Sequence, residues 1–203
     1  MSLTAIAPET PTEDLMIRVL LQKAEAVLAA MAPEDREDLY VLALILDPHT
    51  TLFGGVELRG NTHRARLARQ RGAGLSDDQA RWLYSQWRLP LSTPVTLDIF
   101  NGWGEERALR EAWQADQEKA AGGNYGTMLR RFWGLMVYMA IELRRSVWIP
   151  DAVRPGLTII LDDEHTYDEE VMEATALANP EGQGETWPGP MLTELQSQGG
   201  SWT

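Results

Sequence analysis

Leu39-Tyr40-Val41-Leu42-Ala43-Leu44-Ile45-Leu46 is an almost unbroken apolar run, and its reading decides the fold. It follows Pro33 and the acidic residues Glu34, Asp35, Glu37 and Asp38, which suit the first turn of a helix and its dipole. Asp47-Pro48 closes it. Taken together these signals predict one helix from Pro33 to Leu46, central and buried because no polar stripe interrupts it.

The neighbouring segments read as helices too. Thr10-Pro11-Thr12-Glu13 is a capping box with proline at the first helical position, so a helix is expected from Pro11 to about Met31. Further helices are expected at 62–71, from the capping box Ser76-Asp77-Asp78-Gln79 to Arg88, at 105–121, and from the cap Asn124 through Tyr125 to Val147. A last one starts at Thr166-Tyr167-Asp168-Glu169 and stops at Asn179-Pro180. Residues 47–61 read as a loop or a short hairpin around Phe53 to Leu58, Val95 to Phe100 as extended or a short turn of helix, and Leu157 to Leu161 as the best strand.

The expected fold is therefore all-α, a mainly helical single domain with at most one short strand or hairpin. An N-terminal arm covers 1–10, the helical domain 11–178, and a loose acidic C-terminal tail 179–203. The Leu39–Leu46 and Phe132–Ile141 segments should form its paired centre.

Charge is the feature that bears on function. Residues 59–88 carry seven arginines against Asp77 and Asp78, a local net of +5 in a chain of net charge −12. Residues 155–203 hold ten carboxylates and no lysine or arginine. Whole-surface attraction to nucleic acid or an anionic membrane is thus excluded, and any anion must be met locally. The candidate contact residues are Arg59, Arg64, Arg66, Arg69, Arg71, Arg81, Trp82 and Arg88, with Trp187 and Trp202 as anchors in the tail. The competing account is that these arginines pair with the chain's own carboxylates, the tail included.

Motifs for chemistry are sparse. The chain has no cysteine, which removes disulfides, thiolate metal sites and cysteine nucleophiles. Thr158-Ile159-Ile160-Leu161-Asp162-Asp163-Glu164 has the form of a strand ending in magnesium-binding acids. No glycine loop with lysine accompanies it, so nucleotide hydrolysis is rejected. His49, His63 and His165 are the only imidazoles, and none stands in a metal-binding spacing. Of the eight tryptophans, Trp87, Trp113 and Trp133 suit core packing, whereas Trp103 between two glycines suits a loop contact.

The preferred reading is a non-catalytic interaction protein, an adaptor, assembly factor or inhibitor. It would bind a protein partner through the arginine face and the acidic tail, with no cofactor, no metal and no membrane. Two rivals use the same charges: a nucleic-acid binder on residues 59–88, and an inhibitor whose acidic surface mimics nucleic acid. A third is a metal-assisted enzyme using His49, His165 and Asp162. Met1 to Asp14 lacks the basic and apolar regions of a signal peptide, so a cytoplasmic location is expected.

Overall fold

The computed structural model describes residues 3–46, 55–74, 76–77, 81, 98–102, 104–162 and 169–179. In chain order these form α1 (Pro11–Ala30), α2 (Pro33–Arg36), β1 (Leu39–Leu46), β2 (Gly55–Thr62) and α3 (His63–Ala73). β3 (Asp98–Asn101), α4 (Arg107–Ala121), α5 (Tyr125–Arg144), β4 (Thr158–Asp162) and α6 (Glu169–Ala178) follow. The fold is α/β, and the all-α expectation is overturned.

The error lies in the 39–46 run. It is not a helix but the inner strand of a four-stranded mixed sheet of order β3-β2-β1-β4. β1 pairs antiparallel with β2 and parallel with β4, and all eight of its residues are buried. A strand covered on both faces has no polar alternation to betray it, so its sequence reads like a buried helix. The helix signal at Pro33 is real but lasts one turn, ending at Arg36. Residues 55–61, expected in a loop or a short hairpin, form β2 together with Thr62. Of the segment expected as extended or a short turn of helix, residues 98–100 lie in β3, and the 157–161 strand is present as β4.

Local signals elsewhere correspond to the structure. Thr10 and Glu13 make the reciprocal capping box, Thr62 caps α3 and Asn124 caps α5. α5 packs against α1, α4 and α6, and β4 takes α6 along its length.

The two sheet faces differ in chemistry. Leu39, Leu42, Leu44, Leu46, Val56, Leu58, Ile159 and Leu161 join one core with α1 and α5. Trp113 and Trp133 are buried in that same core. On the other face, the register places Asn61 beside Val41 and Thr158, Arg59 beside Ala43 and Ile160, and Glu57 beside Ile45 and Asp162. It is the more polar of the two faces, with Asn61, Arg59, Glu57, Thr158 and Asp162 set among apolar neighbours. No helix among the described residues is long and apolar enough to cross a membrane.

Candidate anion-binding site

The polar face ends in a cluster built around Tyr40. Between Leu39 and Val41 the β1–β2 register shifts, leaving Tyr40 as an extra residue in the strand. A bulge of this kind re-aims a side chain, and here it brings the phenol to Asn61. The hydroxyl accepts a hydrogen bond from Asn61 Nδ2 at 2.6 Å and donates one to the Arg81 carbonyl at 2.9 Å. Both of its hydrogen-bonding directions are engaged, so Tyr40 positions its neighbours.

Asn61 is the hinge between strand and helix. Its Oδ1 accepts from the Thr62 amide at 3.0 Å and from the Arg69 guanidinium. Thr62 then caps α3 through the Ala65 amide at 3.2 Å. Positions 66 and 69, three apart, fall on one side of α3. Arg66 sets its guanidinium over the Tyr40 ring, 5.6 Å from the centroid, within cation–π range. The His63 ring lies on the same phenol at 4.8 Å.

Arg81 completes the group, with Asp77 between it and Arg66. The nearest ion-pair distances from that carboxylate are 3.3 Å to Arg81 and 3.8 Å to Arg66. The Arg66 side chain is only 13% exposed. Among the described residues, its Nε and Nη1 are buried without a hydrogen-bond acceptor. Burial pushes the Arg69 guanidinium down from its ordinary value, a shift opposed by Tyr40. Burial also pushes the Tyr40 phenol well above the usual range against the pull of Arg66, Arg69, Asn61 and Arg81, so it stays neutral.

The other arginines of the basic segment are arranged differently. Arg59 pairs with Glu57 on its own strand, Nη2 to Oε2 at 2.7 Å. Arg64 turns to α2: its Nη2 donates to Asp35 Oδ1 at 2.8 Å and to the Glu34 carbonyl at 2.7 Å. Its Nε and backbone N–H both reach Asp38 Oδ2, at 3.2 and 2.8 Å. Arg71 is exposed in the last turn of α3. Thus the sequence-predicted face divides: Arg66, Arg69 and Arg81 gather near Tyr40, with Asp77 facing two of them, while Arg59 and Arg64 turn to Glu57, Asp35 and Asp38.

Trp82, Arg88, Trp187 and Trp202 lie outside the described residues, as do Trp87, Trp103, His49 and His165. Asp162 is buried at the end of β4, and among the described residues no group of three histidine or carboxylate side chains could hold a metal ion. The residues that sequence reasoning missed are Tyr40 and Asn61. Their signal was slight: the one polar-tipped side chain in the 39–46 run, and an asparagine just before a helix cap.

Guanidinium groups brought together in partial burial suit one chemistry above others, the binding of an oxyanion by charge-assisted hydrogen bonds. Comparison of the chain with protein-family models, curated proteins and solved structures finds no match.

Proposed function

We propose that this chain is an interaction protein that grips a single anionic group of a macromolecular partner at the Arg66–Arg69–Arg81 cluster. The observation that carries the reading is the state of Arg66. Two of its N–H donors are shut away from water with no acceptor among the described residues. Such a group costs about 1–3 kcal/mol, which a bound oxyanion recovers.

The charge distribution supports a single anion over a polyanion. Carboxylates of Asp35, Asp38, Glu57 and Asp77 lie among the arginines, and the chain as a whole carries −12. A long run of phosphates would meet these acids as well as the arginines.

The test is capture of partners by the full chain, by Arg66→Gln with Arg69→Gln, and by Arg71→Glu. The first two positions belong to the cluster and the third is exposed on the same helix. Partners retained by the Arg71 variant and lost by the double variant, with circular dichroism unchanged, support the reading. An identical set from all three proteins overturns it.

A further inference from the structure

We infer that the turn after α5 is a docking site for the chain's own C-terminal segment, with Trp187 seated on Val147 and Trp148. This goes beyond the arginine cluster and does not depend on it. α5 ends at Arg144, and the chain continues through Arg145, Ser146, Val147 and Trp148. Val147 is 86% exposed and Trp148 38% exposed, so two consecutive apolar side chains stand in water.

The tryptophan is held in place. The Arg36 guanidinium lies over its ring, 5.2 Å from the centroid. Arg36 is itself fixed, because its Nη1 donates to the Leu28, Ala29 and Met31 carbonyls, each at 3.1 Å. Arg154 Nη2 braces the turn from within, donating to the Ser146 carbonyl at 3.4 Å and the Ile149 carbonyl at 3.1 Å. An exposed aromatic ring that is already ordered loses little freedom on binding, and arginine beside it is the composition of an interface hot spot.

The occupant follows from where α6 delivers the chain. Asn179 Oδ1 accepts from Arg144 Nη2 at 2.7 Å, and Arg144 Nη1 donates to the Arg154 carbonyl at 3.2 Å. Two guanidiniums thus link Asn179 to the turn. Residues 180–203 continue from there, and the eight steps to Trp187 reach up to about 28 Å when extended.

The composition of that segment fits the turn. Glu181 and Glu185 precede Trp187, Met191 and Leu192 follow it, and residues 180–203 hold no lysine or arginine. Arg145 and Arg154 flank the exposed pair, each matched only to a neighbour three positions away, Glu142 and Asp151. Surface pairs of this kind are weak, so a tail carboxylate can replace either partner. The covalent tether also supplies an effective concentration on the order of 1 mM, which favours the tail over a second copy of the chain.

The experiment uses nuclear magnetic resonance of the full chain carrying one nitroxide label, which the absence of native cysteine makes clean. Asp151→Cys places the label three residues from Trp148, on a side chain that is 92% exposed. Tyr125→Cys, at the far end of α5, is the control. Amides of residues 185–192 should lose intensity at least twofold with the label at 151 and keep it with the label at 125. Trp187→Ala, or Trp148→Ala with its melting curve unchanged, should restore the intensity. An isotope-labelled chain mixed with a separate nitroxide-bearing chain should show no loss.

Full intensity with the label at 151, or equal loss from both labels, overturns the inference. So does a loss that persists in both alanine variants. Loss in the mixed sample assigns the turn to a second copy and overturns it too. None of these outcomes bears on the anion reading.

Discussion

Asn179 pairs with Ile159 as a neighbouring strand would. Its side-chain Oδ1 accepts from the Ile159 amide at 2.8 Å, and its Nδ2 donates to the Ile159 carbonyl at 2.6 Å. Four residues earlier, Thr175 Oγ1 does the same for Leu161, with both hydrogen bonds at 3.0 Å. Two side chains at the end of the chain's last described helix thus occupy the backbone groups on the outer edge of β4, two strand residues apart. An open edge would invite pairing with another chain.

Removing this cover should have two consequences. Asn179→Ala with Thr175→Val leaves the Ile159 and Leu161 groups without partners, costing about 1–3 kcal/mol for each one left buried. Urea denaturation should show the loss, and sedimentation should show association that rises with concentration. Unchanged stability and a single species at all concentrations would contradict the role. Any truncation meant to probe the acidic tail must keep Asn179, since a chain ended at Ala178 would melt lower for this reason alone.

Glu13 should make stability depend on acid. Its side chain is fully buried where α1, α4 and α5 meet. There it takes a fork from Arg131 at 2.8 and 2.5 Å and a hydrogen bond from Gln117 at 3.1 Å. Burial alone would raise this carboxyl. The Arg131 guanidinium and the Glu9 and Thr10 amides outweigh burial and hold the carboxyl below its ordinary 4.5. A group depressed on folding gives its full contribution above that value and loses it as pH falls through the folded one. The melting temperature should therefore drop below pH 4.5 more steeply in the native chain than in Glu13→Gln. Parallel curves for the two proteins would refute this.

Gly134 should not tolerate alanine. It sits inside α5 where the N-terminal arm crosses, and the Ile6 amide donates to its carbonyl at 3.0 Å. A Cβ there would come within 2.5 Å of Ile6 Cδ1 and 2.9 Å of the Thr4 carbonyl oxygen. Helix propensity favours alanine by about 1 kcal/mol, but overpacking against backbone costs about 1–3 kcal/mol. Gly134→Ala should lower the melting temperature. Gly134→Ala combined with Ile6→Ala should recover only part of the loss, because the backbone contact remains.

Legibility in the sequence followed the range of each signal. Thr10 with Glu13, Asn124 and Thr62 act within one helical turn, so their helices could be read from neighbours in the chain. Leu39–Leu46 could not, because what makes it a strand is its two partners, one beginning at residue 55 and the other at 158. With both faces buried, it lost the alternation that a half-exposed strand would display. The arginine segment was visible as composition. Its division into Arg64 facing Asp35 and Arg66 facing Tyr40 was not, since that depends on a one-residue bulge and on where α3 starts. Neither leaves a periodic trace.

Tyr40→Phe separates positioning from binding. The change keeps the ring beneath Arg66 and removes the hydroxyl that joins Asn61 to the Arg81 carbonyl. Asn61 then has one donor fewer in use in a buried setting, a loss of about 1 kcal/mol. Affinity for the partner captured at the arginine cluster should fall about three- to tenfold, in line with that loss. Native affinity in Tyr40→Phe would show that the arginines hold their places without the phenol.

Arg144 is the most exacting position outside the cluster. It is buried, and among the described residues no carboxylate pairs with it. Its Nη1 donates to the Leu157 carbonyl at 2.6 Å and the Arg154 carbonyl at 3.2 Å. Its Nη2 reaches Asn179 Oδ1 at 2.7 Å and the Ala178 carbonyl at 3.3 Å. One guanidinium thus binds the entry to β4 to the end of α6, and it orients the amide that covers the strand edge. Burial pushes its ionisation down from the ordinary arginine value. Arg144→Met would fill the space with an apolar chain and take the guanidinium donor from four acceptors, of which Asn179 Oδ1 keeps the Ile159 amide. It should cost about 3 kcal/mol or more, and it should expose the β4 edge as Asn179→Ala does. Arg144→Lys keeps a charge but cannot span acceptors on two elements, so its loss should be nearly as large. Hydrogen exchange at the Ile159 amide decides the matter: faster exchange in both variants is expected, and native protection in either would separate Arg144 from the edge.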